Sequence, residues 1–220
     1  LAETKRDGAD LDFSAQVAFL AGDFRLAAEC AAQVDTPSFE LRLLAAEAIA
    51  VRGGQIGSID EWLEVRSVPG GARARAWDLA ITATERRSMA EASELAAHLL
   101  IEAEGPTVAI PGGWAAYLFA RGAELRGEAL LAVAGYRAAA YGFGRSRHPR
   151  NQVRALVRQA GVLSAIGRGP EARSALRRAA ELLPRVGGVV EREWIRRSPA
   201  VGLAVEIVGN PVQELAQSIR

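Results

Sequence analysis

The sequence predicts an all-α protein built from short paired helices. Apolar residues recur at three- and four-residue spacing along most of the chain, which is typical of helices that bury one face. No stretch alternates apolar and polar residues over a useful length, so no strand is predicted. Half of the 220 residues are hydrophobic, which is enough to form a substantial core.

Glycine or proline marks most boundaries of the predicted helices. The periodicity predicts helices within 11–34 (interrupted at Gly22-Asp23) and over 38–52, 72–87, 89–103, 114–126, 128–141, 150–166 and 170–183. Breaks are predicted at Gly53-Gly54, Pro69-Gly70-Gly71, Gly105-Pro106, Pro111-Gly112-Gly113, 142–149 and 184–188. Asn210-Pro211 has the cap and first-position residues of a last helix, which is expected to cover the end of the array.

Three segments repeat one scheme, in which a glycine turn is followed by a helix with alanine five positions on. They are GDFRLA at 22–27, GEALLA at 127–132 and GRGPEA at 167–172. These residues resemble the tetratricopeptide repeat, although the turns lie about 32, 34, 39 and 40 residues apart, against roughly 34 in the family. The resemblance implies a right-handed α-solenoid of about five antiparallel helix pairs over 1–186. Residues 187–220 would then be C-terminal capping helices or the start of a linker to a further domain.

The irregular spacing is similar to the degenerate repeats of large bacterial transcriptional regulators, the LuxR-like proteins related to the maltose-regulon activator. There the repeats link an ATPase module to a DNA-binding module. The resemblance implies a non-enzymatic, cytoplasmic protein- or peptide-binding module that serves as the sensory or scaffolding segment of a regulator. Because the only methionine is Met89, we also expect the chain to be a piece of a longer polypeptide or one whose beginning was removed.

The resemblance also indicates where a partner would bind, because the first helix of each tetratricopeptide pair lines a concave groove. Aligning the units by their turns, and counting three or four residues along each helix, gives one set of groove residues. The set is Arg75, Asp78, Trp114, Tyr117, Arg121, Glu124, Arg154 and Arg158. Two other interpretations stay open: packing between helices for the two aromatic residues, and a solvated surface for the arginines.

The charge is divided between the two halves of the chain. Residues 1–110 carry 18 acidic and 10 basic side chains, residues 111–220 carry 8 and 17, and no acidic residue lies between Glu128 and Glu171. The basic region 137–168 could bind nucleic acid or another anion, with Arg145, Arg147, His148 and Arg150 as the candidate residues. An acidic front and a basic back could equally support a head-to-tail homo-oligomer.

Other function classes have no support in the sequence. We find no catalytic constellation, phosphate-binding loop or nucleotide fingerprint, and Gly142-Phe143-Gly144 is interpreted as a loop. The lone Cys30 and the widely separated His98 and His148 predict no metal site. No cofactor and no membrane-spanning segment are expected.

Overall fold

A computed structural model describes residues 8–52, 54, 70–104, 112–186, 191–192 and 194–195. Nine helices are assigned within these ranges. They are α1 (Gly8–Ala21), α2 (Phe24–Ala32), α3 (Phe39–Val51), α4 (Gly70–Glu85), α5 (Met89–Glu104), α6 (Gly112–Leu125), α7 (Ala129–Arg145), α8 (Pro149–Ala165) and α9 (Gly169–Val186). Residues 191–192 and 194–195 are also helical.

The described part of the chain is all-helical and contains no strand, which confirms the predicted class. All nine helices match segments that the apolar periodicity predicts. The predicted break at Gly105-Pro106 and the predicted last helix from Asn210 lie outside the described residues. Among the helices that are described, none has both the length and the apolar character needed to cross a bilayer.

The prediction of a loop at Gly142-Phe143-Gly144 is wrong, because α7 continues through these residues to Arg145. Phe143 is fully buried and packs edge-on against Trp114, with the ring centroids 5.2 Å apart. A Cβ at Gly142 would lie 2.9 Å from the Cα of Gly113, so the glycine permits close contact between α7 and α6. Tertiary packing therefore outweighs the low helix propensity of glycine here. In the same way α9 runs through Pro184 to Val186, beyond the predicted end at 183.

The chain forms two compact units, 1–92 and 93–220, with the division inside the first turns of α5. In the first unit α1 packs on α2, and α3 contacts α1, α2 and α4. Asp23 and Ser38 cap α2 and α3 by accepting hydrogen bonds from the backbone N–H of Leu26 and Leu41. The guanidinium of Arg86 donates to the carbonyls of Gly54 and Ala50, which satisfies acceptors at the end of α3.

In the second unit each helix from α6 to α9 packs on the next one along the chain. Because the connections are three-residue turns, neighbouring helices run antiparallel. Alanines dominate the contacts, and the buried ones include Ala120, Ala132, Ala139, Ala160, Ala172 and Ala179. Small side chains let the helix axes approach closely, as the repeated alanine in the sequence indicates.

The turns of the second unit share one geometry at intervals of twenty residues. Gly127, Arg147 and Gly167 each have a positive φ, of 75°, 58° and 76°. At each turn the N–H of this residue donates to the carbonyl three residues back, and the next N–H donates five residues back. This pattern is the Schellman motif, which normally has glycine at the left-handed position. Arg147 is the exception, and Gly22 has the same geometry in the first unit.

Candidate functional site

Six of the eight predicted groove residues come together in the second unit. Trp114, Tyr117, Arg121 and Glu124 lie on α6, and Arg154 and Arg158 lie on α8. Their spacing of three or four residues places them on one face of each helix. The predicted clustering of these residues on α6 and on α8 is therefore present. Their role in binding a partner stays a prediction.

Glu124 is the centre of a polar cluster that joins three helices. Its Oε2 accepts a hydrogen bond from the Arg121 guanidinium (3.3 Å) and another from the hydroxyl of Tyr136 on α7. Its Oε1 lies 3.6 Å from Nη1 of Arg158 on α8. We call Arg121, Glu124, Tyr136 and Arg158 the Glu124 cluster.

The members of the Glu124 cluster differ in their access to solvent. The side chain of Arg121 is 0% exposed, whereas those of Glu124 and Arg158 are 26% and 31% exposed. Burial raises the pKa of Tyr136 well above 10.0; Arg121 lowers this pKa and Glu124 raises it further. The Tyr136 hydroxyl is therefore protonated at neutral pH and serves as a donor. Arg158 is the cation of the cluster that a ligand can reach.

The aromatic residues form the interior beneath this cluster. Trp114 and Tyr117 are 2% and 1% exposed and meet edge to face, with centroids 5.4 Å apart. Tyr117 meets the ring of Tyr136 at 5.5 Å. Their burial agrees with the alternative interpretation from the sequence, packing between helices. The sequence analysis did not identify the polar contact of Tyr136. The available signal was a tyrosine nine residues after the turn glycine Gly127, where the next unit has Leu176 nine residues after Gly167.

Three arginines form a row along α8, one helical turn apart, which we call the α8 arginine row: Arg150, Arg154 and Arg158. Arg150 Nε lies 2.5 Å from Oε1 of Glu191. The Arg154 guanidinium lies 5.6 Å from the ring centroid of Trp114 and 4.6 Å from that of Trp194, within cation–π range of both indoles. The sequence analysis did not identify the contact of Glu191 with Arg150.

The other two predicted groove residues, Arg75 and Asp78, belong to the first unit. Arg75 makes a two-pronged ion pair with Glu47 on α3, at 2.5 and 3.2 Å, and so joins α4 to α3. Asp78 is 8% exposed, and its backbone carbonyl accepts a hydrogen bond from Thr82. Their predicted part in partner binding stays a prediction.

The predicted anion-binding residues lie at the turn between α7 and α8. Arg145, Arg147 and His148 are exposed and form no ion pair with the part of the chain that the structure describes. Arg150 differs from them, because it is half-buried and bound to Glu191. Within the described ranges, no group of three or more His, Cys, Asp or Glu residues is placed to hold a metal ion.

No protein-family model, no curated protein and no solved structure matches this chain.

Proposed function

We propose that the chain is a non-enzymatic helical-repeat module that binds a protein or peptide. In this proposal the helix pairs form a right-handed α-solenoid, and the module is the sensory or scaffolding segment of a cytoplasmic bacterial transcriptional regulator. Support for the repeat comes from the second unit, where successive helices pack in chain order and the turns recur every twenty residues. Helix pairs stacked in this way offer an extended surface to a ligand.

The observation that carries the proposal is the α8 arginine row beside the Glu124 cluster. Arginine is one of the residue types that dominate binding hot spots, and here three arginines lie one helical turn apart on α8. The Glu124 carboxylate accepts hydrogen bonds from Arg121 and Tyr136. Its distance to Arg158, 3.6 Å, is longer than a hydrogen bond. Arg158 therefore keeps N–H donors that a partner can use.

Selection of short random peptides on the wild-type protein tests this function. We expect Arg158→Ala to weaken binding of a selected peptide by about tenfold or more, because it removes a central cation. Arg178→Ala, on an exposed position of α9, is the matched control and should leave affinity unchanged. If no peptide is enriched, or if both variants bind as well as the wild type, the proposed site is wrong.

Binding of nucleic acid or another anion through 137–168 is the second candidate. It is favoured by the exposure of Arg145, Arg147 and His148 at one turn. Affinity for duplex DNA should then fall steeply with salt, and the double change Arg145→Ala/Arg147→Ala should reduce the steepness. A flat salt response would exclude this candidate.

Self-assembly is the third candidate, and an apolar stripe on α1 favours it. Phe13, Val17 and Leu20 lie three or four residues apart and are 69%, 48% and 55% exposed. A second copy could bury this stripe. Sedimentation over a range of protein and salt concentrations tests this, and a monomer throughout would exclude it.

A further inference from the structure

A short segment of this chain already contacts the first two residues of the α8 arginine row, Arg150 and Arg154. Glu191 contacts Arg150, and Trp194 contacts Arg154. Glu191 and Trp194 each lie in helical backbone and are three residues apart in the sequence, and Arg150 and Arg154 are four residues apart on α8, so both pairs have the spacing of about one helical turn. The row thus accepts a carboxylate at one position and an indole at the next.

The Glu191 carboxylate is only partly satisfied in this contact. Its side chain is 0% exposed, and Oε1 lies 2.5 Å from Arg150 Nε. Its Oε2 is buried and accepts no hydrogen bond from any of the residues that the structure describes. A buried carboxylate oxygen without a donor weakens the contact relative to a fully paired one. A ligand whose carboxylate meets donors with both oxygens can therefore compete for Arg150.

The local charge explains why the row takes an acidic ligand. No acidic residue occurs in the sequence from 129 to 170, so α8 supplies no carboxylate of its own. Glu191 is brought to Arg150 from a position 41 residues further along the chain. Trp194 is half-buried, in contrast to the 2% exposure of Trp114, whose ring also lies near the Arg154 guanidinium.

We propose that Arg150 and Arg154 form a receptor for a helical segment of a protein partner that carries a carboxylate and, three residues later, an aromatic ring. Glu191 and Trp194 occupy this receptor within the chain, and binding of the partner displaces them. This inference rests on the proposed function, because it specifies the partner class for the same surface. It adds that the surface is covered until a matching helix arrives.

A labelled synthetic peptide with the sequence of residues 187–200 is the probe. In the full chain, the change Glu191→Gln/Trp194→Ala frees the receptor, and we expect it to bind the peptide about tenfold or more tightly than the wild type does. Adding Arg150→Ala and Arg154→Ala to that variant should abolish the gain. Arg192→Ala, at an exposed neighbouring position, should bind the peptide as the wild type does.

Equal binding of the peptide by the wild type and the freed variant would overturn the inference. If the double variant loses its helical circular dichroism, Glu191→Gln alone is used, and it should still bind the peptide more tightly than the wild type. A shift to dimer through exchange of the segment would also overturn it, because the occupant would then be a second copy. A randomly selected peptide could need Arg158 and yet bind the wild type and the freed variant with equal affinity. That result would leave the proposed function intact and refute this inference alone.

Discussion

Tyr136 on α7 donates a hydrogen bond to Glu124 on α6, while Arg158 on α8 lies 3.6 Å from the other oxygen of the same carboxylate. One acidic side chain is thus shared by three consecutive helices. Because Tyr136 is fully buried, its hydroxyl depends on this acceptor in place of water. The contact gives the second unit a polar connection within a largely alanine-lined interior.

Replacing Tyr136 by phenylalanine should destabilise the protein. We expect Tyr136→Phe to lower the free energy of unfolding by about 1 to 2 kcal/mol, because a hydrogen bond to a charged group is lost while the ring remains. Chemical denaturation measures the change. Tyr141→Phe is the control, since Tyr141 is 67% exposed on the same helix and should show almost no change. Equal effects of the two substitutions would contradict the role given to the buried hydroxyl.

The stability of the protein should also depend on the ionisation of Tyr136. Burial holds the pKa of Tyr136 well above its usual value of 10.0 in the folded state, with a lowering effect of Arg121 and a raising effect of Glu124. Above about pH 10 the unfolded chain releases the Tyr136 proton, whereas the folded protein still holds it. The free energy of unfolding therefore falls by up to about 1.4 kcal/mol per pH unit because of this group. Below about pH 10 the full contribution of Tyr136 to the free energy of unfolding is present. The stability difference between the wild type and Tyr136→Phe should therefore shrink as the pH rises above 10, and a constant difference would disprove this coupling.

Arg147 should be replaceable by glycine with a gain in stability. Its φ of 58° is left-handed, and the equivalent turn positions are Gly127 and Gly167. Relief of this backbone cost should raise the free energy of unfolding by about 1 kcal/mol in Arg147→Gly. Arg147→Ala removes the same charge but keeps the unfavourable angle, so it should show no such gain. A similar gain in stability in both variants would show that the loss of the charge causes it, and not the backbone angle.

Gly135→Ala should destabilise the protein although alanine favours helix. An added Cβ would lie 2.9 Å from the Cβ of Ala120 and 3.2 Å from its Cα, so α6 and α7 would have to separate. The overpacking outweighs a propensity gain of about 1 kcal/mol, and we expect a net loss of about 1 to 2 kcal/mol in denaturant unfolding. Gly112→Ala is the matched control, because nothing lies within 4 Å of its added Cβ. Unchanged stability in Gly135→Ala would show that the helices adapt without cost.

The sequence was sufficient to predict the helices, because each buries an apolar face that recurs at helical spacing. The prediction from sequence failed where a glycine allows close packing of two helices. Gly142 resembles a break in the sequence but lies within α7, against Gly113 of α6. Periodicity cannot distinguish these cases, since the neighbour that requires a glycine lies on another helix. The turn at Arg147 was also not predicted as a glycine-type turn, because the residue itself gives no sign of a positive φ.

The candidate site was predicted in part. Helical spacing placed Trp114, Tyr117, Arg121 and Glu124 on one face, and the structure adds that the first three are buried. Spacing alone defines a face but does not say whether a neighbouring helix covers it. The contacts made by Glu191 and Trp194 bridge about forty residues of sequence, and nothing local in either segment indicates the other.

The regular interval between Gly127, Arg147 and Gly167 makes the second unit intolerant of insertions and deletions inside its helices. One extra residue in the middle of α8 would rotate every later side chain by about 100° around the helix axis. Arg158 would turn away from Glu124 while Arg150 kept its place, so the two ends of the row would no longer share a face. Natural length variation in related chains should therefore be confined to the turns or come as whole helix-and-turn blocks.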